Sequence, residues 1–309
     1  MTRPPVTIII PVYNRAELVS RAIDSVAAQT VRPLQLVVAD NASTDGTLQV
    51  VTARAEALRS PDFEITVVRE TVPGAANARN RGFAEARAPW VMFFDSDDIM
   101  LPGHVERALR TACRHPEAEI VGWDVERTDV NGHAERKPFY AERPRWHNLM
   151  HGSMATQRYM ARPDLFRRAG LWNGSLTVWD DIELADRMLA LRPRAVHAGP
   201  GITVRVMEQE QSISGLRYAP SVSRALDALR AFDADAPGMA GCLRLKTMIL
   251  AADCAREGSA EGPRLRAGVL ASEPSPPRRA MLRAAYAWQR AGMRGTARVF
   301  YPWFNLHER

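Results

Sequence analysis

Val6-Thr-Ile-Ile-Ile-Pro-Val12, running into Tyr13-Asn14, decides how the chain is read. Seven β-branched or apolar residues ending abruptly in polar ones read as a strand buried on both faces, as in a parallel sheet. Asn14 then reads as the cap of a helix, with Glu17 as its capping-box partner. The rhythm repeats. Leu34–Ala39 is a second apolar strand, followed by the polar loop Asp40-Asn-Ala-Ser-Thr-Asp-Gly-Thr47 and a helix. Phe63–Arg69 is a third strand, and Pro73–Arg87 is loop then helix. Trp90-Val-Met-Phe-Phe94 is a fourth strand, stopping at Asp95-Ser-Asp-Asp98. Strands alternating with helices predict a doubly wound, mostly parallel α/β sheet.

Beyond Pro102 the pattern loosens. A helix to about His115 is expected. Strands are expected over 119–125 and 134–139, with Asn131-Gly132 as a hairpin turn. Pro163 opens a short helix, Asp180–Leu191 is another, and short strands fall near 195–198 and 202–206. From Gly215 strand signals vanish, and 221–233, 240–256, 262–271 and 277–293 read as helices. The domains expected are 1–214, divided into halves at 1–100 and 101–214, and a helical C-terminal region, 215–309.

The 309 residues are 46% hydrophobic and 25% charged, an ordinary globular composition. No apolar run reaches the roughly 18 residues of a spanning helix. Met1-Thr-Arg-Pro-Pro lacks a secretory signal's apolar region. Cys113, Cys242 and Cys254 include no close pair, which excludes a disulfide framework and a cysteine zinc site. A reducing, cytoplasmic setting fits, at the inner face of a membrane or away from it. The net charge is +6, and the part from Gly215 onward carries 15 Lys+Arg against 8 Asp+Glu. Without a recognition helix or groove-reading patch, this excess does not argue for nucleic acid. On 277–294, Arg279, Arg283, Arg290 and Arg294 form a stripe opposite Met281, Ala285 and Trp288. This leaves two expectations, peripheral membrane contact or packing and oligomerisation.

In open α/β sheets ligands bind beyond the C-terminal strand ends, where Tyr13-Asn14, Asp40–Asp45 and Asp95–Asp98 fall. No Gly-x-Gly-x-x-Gly or Walker-type loop follows the first strand, and no Gly-x-Ser-x-Gly elbow occurs. Asp95-Ser-Asp97 suits Mg²⁺ or Mn²⁺, which bind through one or two acids plus phosphate oxygens. The rival is a turn capping the next helix, the reading given to Asp98. Asp40 reads as an acceptor for a ligand N–H or as an Asx-turn; Asp45 reads as turn and cap. Arg79 has the fork to meet a phosphate, whereas Arg81 and Arg87 read as solvated charges. Asp180 and Glu183 read as cap and capping-box partner, and Glu183 and Arg187 as a surface pair. Asp181 shares a face with Leu184, Ala185 and Met188, which makes it a buried hub or a positioned base. His147 and His151 sit in a segment without helical pattern, so histidine-bound zinc is not expected.

Together, Ile8–Asn14, Val38–Thr47, Ala78-Arg-Asn-Arg-Gly82, Phe93–Asp98 and Trp179-Asp-Asp-Ile-Glu-Leu184 resemble the family 2 glycosyltransferases of GT-A fold, over about residues 5–215. The resemblance implies a GT-A-like mostly parallel sheet flanked by helices. It implies inverting transfer from a nucleotide-sugar, usually a UDP-sugar, with Mn²⁺ or Mg²⁺, to a saccharide or lipid-linked acceptor, as in polysaccharide biosynthesis. It makes 1–100 the nucleotide-binding half and 101–214 the sugar/acceptor half, with Trp146–Met160 lining the sugar or acceptor site unless it is loop or core. It puts Pro11, Tyr13, Asn14, Asp40, Arg79, Asp95 and Ser96 at the nucleotide. Asp40 would read the base, Arg79 would lie near the phosphates, and Asp95 would meet ribose or metal-bound water. Asp97 would hold the metal and Asp181 would be the catalytic base. Two departures stand out. A common Asp-Asp is Asp40-Asn41 here, and the Arg-x-His-x-x-Ser segment is Arg205-Val-Met-Glu-Gln-Glu-Gln-Ser212, without histidine. Metal binding then falls to Asp97 alone, or Glu208 or Gln209 substitutes. The alternative function is a catalytically inactive nucleotide-sugar-binding module.

Overall fold

The computed structural model describes residues 3–140, 145–208 and 218–305. The chain forms two compact units, 1–143 with 153–210, and 144–152 with 211–309. The second unit thus takes 144–152, which the sequence reading assigned to the sugar/acceptor half.

In the first unit, β1 (Thr7–Val12), α1 (Val19–Ala27), β2 (Leu34–Asp40), α2 (Thr47–Leu58), β3 (Phe63–Arg69), α3 (Ala75–Phe83) and β4 (Val91–Phe93) follow the expected alternation. β1 pairs in parallel with β2 and β4, and β2 with β3. Every residue of β1 and β2 is buried, as two-faced burial requires. Because side chains alternate across a strand, Ile8, Ile10, Leu36, Val38, Met92 and Phe94 enter one core with α1 and α2. Ile9, Val37, Ala39, Val91 and Phe93 enter the other, with α3. Gly82 lets α3 lie close on the sheet: a Cβ there would come 2.5 Å from Ile9 Cγ2.

The chain continues through β5 (Ile99–Met100), α4 (His104–Arg114), β6 (Ile120–Gly122), β7 (Val125–Thr128) and β8 (Ala134–Lys137). In the second unit comes α5 (Arg145–His151). The first unit resumes with a short 3₁₀ turn (Thr156–Arg158), β9 (Tyr159–Ala161), α6 (Pro163–Arg168), α7 (Asp180–Ala190), β10 (Ala195–His197) and β11 (Val204–Met207). The large sheet has the order β10-β6-β9-β4-β1-β2-β3, and β5-β11-β7-β8 forms a second sheet. The strand expected over 119–125 is therefore broken. The chain leaves the large sheet after β6 and enters the second at β7. Asp124 anchors this switch, accepting from Arg136 Nε at 2.8 Å, Phe139 N at 2.9 Å and His197 Nε2 at 2.9 Å. β9, antiparallel to β4 and β6, was not foreseen. Its three residues are too few to show a period.

The second unit is helical: α5, then α8 (Tyr218–Arg230), α9 (Met239–Arg256), α10 (Glu261–Ser272), α11 (Pro276–Arg290), α12 (Thr296–Phe300) and α13 (Pro302–Asn305). The 145–151 segment is helical, contrary to its sequence reading. Its His147 and His151 rings stand 4.6 Å apart, and Trp146 packs on Tyr301 at 4.9 Å. Trp146–His151 thus belongs to this unit's own packing, which leaves only 153–160 of the expected acceptor segment in the first unit. No described helix is long and apolar enough to cross a membrane.

Candidate active site

Beyond Ile9–Phe93 the β1–β4 ladder ends, and the parted strands deliver Pro11, Tyr13 and Asn14 on one side and Asp95, Ser96 and Asp97 on the other. Tyr13 is exposed. Asn14 does not cap α1, which starts at Val19 without a side-chain cap. Asn14 instead takes a left-handed backbone (φ 49°). Its amide oxygen accepts from Thr44 N at 2.9 Å, and its backbone N–H donates to Ser43 Oγ at 3.0 Å. The ends of β1 and β2 are stitched together by these bonds. A capping motif five residues before a helix can serve a neighbouring loop just as well, and here tertiary contact took it.

Asp40 closes β2 fully buried. Its Oδ2 accepts from Ser43 N at 3.2 Å and its Oδ1 has no partner among the described residues. The Asx-type bond and a spare acceptor therefore coexist. Asn41 accounts for one departure from the family pattern. Its Nδ2 donates to the carbonyls of Glu70 (3.2 Å) and Val72 (2.8 Å), and its Oδ1 accepts from Gly74 N at 2.7 Å. An aspartate could only accept, so the amide is what ties the 70–74 loop to the strand end. Asp45 Oδ1 accepts from Thr47 N at 2.9 Å, a turn as expected.

The centre of the site is Arg79. Nη2 donates to Asp95 Oδ1 at 3.0 Å and Nη1 to Asp180 Oδ2 at 2.8 Å, and the guanidinium lies 4.3 Å from the Trp172 ring. It is buried, with Nε lacking a partner among the described residues. The resemblance put this fork beside phosphates; its terminal nitrogens are taken by two carboxylates. Asp95 Oδ2 accepts from Gln157 Nε2, so both of its oxygens are held. The neighbours of Arg79 complete the clasp. Asn80 Nδ2 donates to Trp172 O at 2.8 Å and its Oδ1 accepts from Trp172 N at 3.0 Å, fixing the loop that leads to α7. Arg81 pairs with Glu85 at the surface, and Arg87 with Glu64.

Asp180 is therefore not the cap expected. It sits in the first turn of α7 after Trp179, which has a left-handed backbone (φ 55°), and its carboxylate is committed to Arg79. Glu183 and Arg187 do pair, at 2.7 Å, but Glu183 is buried, and Arg187 also donates to Leu171 O at 2.7 Å. The pair latches α7 to the chain after α6. Asp181 Oδ1 accepts from Ile182 N at 2.8 Å. Burial, then Asp180, push its carboxyl up to about 6, against the pull of Arg79. The Asp181 charge in turn helps hold the proton of half-buried Arg158, whose guanidinium desolvation lowers to about 10, and of the Tyr159 hydroxyl, which burial raises.

Burial and the adjacent Asp95 likewise raise Asp97 to about 6, while Arg15 and Arg21 oppose the shift. Asp98 caps no helix. It is buried, its Oδ1 accepts from Met207 N at 3.1 Å, and burial with Asp95 and Asp97 raises its carboxyl well above the usual range. It holds β11 to the strand-end loop. Glu208 pairs with Arg127 at 2.8 Å, while Gln209 lies outside the described residues.

Among the described residues no group of three metal-ligating side chains occurs. The donor set nevertheless fits a hard cation that needs few protein ligands. Asp97 is a half-buried carboxylate beside Asp95 and Asp98, raised first by burial and then by the Asp95 charge. Magnesium and manganese accept one or two carboxylates and complete their shell with phosphate and water oxygens. Gln157 and Asn80 escaped the sequence reading, as did the bonds that Asn41 and Asp98 make, because these residues act through long-range hydrogen bonds that no local motif signals.

A mostly parallel sheet with carboxylates at its C-terminal edge, clamped by a helix arginine, defines an α/β protein with its site at the strand ends. Residues 7–170 match the family model described as Glycosyl transferase family 2, and the chain belongs to that family. It is 38% identical over 104 residues to an uncharacterized glycosyltransferase of Nostoc, covering 34% of this chain and 31% of that one. It is 34% identical over 110 residues to the succinoglycan biosynthesis protein ExoO of Rhizobium meliloti, covering 35% and 30%. The chain thus spans about a third of the length of these relatives. In fold it resembles S. aureus TarS 1–349 in complex with UDP-GlcNAc, at TM-score 0.64 and 16% identity, covering 97% of this chain and 90% of that one. It also resembles a mannosyltransferase of Pyrobaculum calidifontis in complex with GDP-Man and Mn²⁺, at TM-score 0.58 and 22% identity, covering 100% and 88%. The architecture is that of the GT-A transferases, with a helical C-terminal region.

Proposed function

We propose that the protein transfers a sugar from a nucleotide-sugar, a UDP-sugar by preference, to a hydroxyl of a saccharide or lipid-linked acceptor, with inversion at the anomeric carbon. The observation that carries this reading is the Asp95–Arg79–Asp180 clamp, which joins the strand-end acids to the turn presenting Asp181. Asp181 is the base. Its carboxylate takes the acceptor hydroxyl's proton as that oxygen attacks the anomeric carbon opposite the bond to the diphosphate. That bond breaks, the diphosphate leaves with the electron pair, and one direct displacement inverts the centre. A carboxyl near 6 is largely ionised at neutral pH yet more basic than an ordinary aspartate. Asp97 would hold Mn²⁺ or Mg²⁺, which supplies charge neutralisation to the departing diphosphate. Pro11, Tyr13, Asn14, Asp40 and Ser96 line the nucleotide side, with the spare Asp40 oxygen free to accept from a base N–H. Arg79 acts by fixing Asp95 and Asp180.

The test is a panel of UDP- and GDP-sugars with Mn²⁺, read by thermal shift and by nucleotide release. One donor should stabilise the protein only with metal and should be turned over. Metal-dependent UDP binding with no turnover of any donor or acceptor pairing would instead identify an inactive binding module.

A further inference from the structure

Between Pro274 and Asn305 the chain carries six arginines, at 278, 279, 283, 290, 294 and 298, and no aspartate or glutamate. The structure changes how that stretch is read. The apolar face of α11 is Leu282, Ala285 and Tyr286, all buried, and the helix packs on α9. Of the two expectations for this helix, packing is the one its apolar face meets. The apolar side chains left in water lie just beyond it. Met293 is 46% exposed in the turn after α11, and Val299 and Trp303, one helical turn apart, are 45% and 53% exposed. Thr296, Phe300 and Phe304 face inward and anchor this end. Trp288 packs edge-on against Phe300 at 6.0 Å and donates from Nε1 to Arg294 O at 3.2 Å, which fixes the turn. Arg290, Arg294 and Arg298 are exposed and interleave with Met293, Val299 and Trp303 along the chain. Among the described residues no ion pair engages any of the six arginines.

We propose that this end of the helical unit docks on an anionic lipid surface. Unpaired arginines complement acidic headgroups, and the exposed apolar side chains, tryptophan above all, suit the headgroup–acyl boundary. A second copy would oppose like charges across the same patch. A nucleic acid would leave the three apolar side chains wet.

Flotation of the full chain with vesicles tests this. The protein rises with phosphatidylcholine vesicles containing phosphatidylglycerol, not with pure phosphatidylcholine, and is released by about 0.5 M salt as screening shortens. Each arginine near the surface is worth roughly a factor of five in partitioning, so changing Arg290, Arg294 and Arg298 together to Gln lowers it about a hundredfold. Trp303→Ser also lowers it while leaving the melting temperature and metal-dependent UDP binding unchanged. Absent flotation, equal flotation with neutral vesicles, or binding indifferent to these substitutions overturns the proposal. Self-association abolished by Trp303→Ser without flotation would reassign the patch to a second copy.

Discussion

At the scale of single residues, two neighbouring aspartates have been given opposite work by their surroundings. Asp180 is spent on Arg79, and Asp181 is left with one backbone donor and a raised pKa. Asp181→Asn should abolish transfer while metal-dependent donor binding stays near normal, since a base acts in the transition state. Wild-type transfer should rise with pH through about 6 and level off above it, as the base ionises. Stability should move the other way. The folded carboxyl, near 6, stays protonated where the unfolded one, near 3.8, has ionised. This group's contribution is therefore lost as pH rises from about 4 through 6. Asp181→Asn should raise the melting temperature at pH 8, with the gain fading toward pH 4.5; an equal shift at both values would refute the assignment. Asp180→Asn, silent had the residue been a cap, should cost about 1.5–3 kcal/mol through the weakened bond to buried Arg79, measured by urea unfolding. Asp97→Asn should weaken metal-dependent UDP binding in calorimetry with the fold retained.

The elements show the same economy. α3 is short, and three of its residues do separate jobs on separate faces: Arg79 reaches the acids, Asn80 clasps Trp172, and Gly82 lies against the sheet. Gly82→Ala would push a methyl into Ile9 and should destabilise by about 1–3 kcal/mol as overpacking does. Because Arg79 rides on the same helix, donor binding should weaken too; a destabilised variant with unchanged donor affinity would show that α3 does not set the site. Asn41→Asp, which restores the family's more common acid pair, should destabilise the protein rather than improve it, since the carbonyls of Glu70 and Val72 lose their donor. Thermal melting of that single variant decides the matter.

Across the whole molecule, every residue assigned to donor and base lies in the first compact unit. Hydrogen exchange with UDP and Mn²⁺ should therefore slow at 11–14, 40–45 and 95–98 and leave α9 and α11 unaltered; protection confined to those helices would displace the proposed site. The central strands and their strand-end acids were legible in the chain because each depends on local pattern: uninterrupted apolar runs, then abrupt polar residues, at a spacing only a parallel sheet satisfies. The helices α8 to α11 were legible for the same reason, whereas the short α12 and α13 were not. Partnership was not legible. Whether Asn14 caps a helix or ties two loops, whether Asp180 or Asp181 is the free carboxylate, and whether α11 shows its apolar face to water or to α9 depend on groups tens of residues away. One-dimensional spacing carries no record of such distances, so only the packed tertiary structure decides which charge is neutralised and which is left to act.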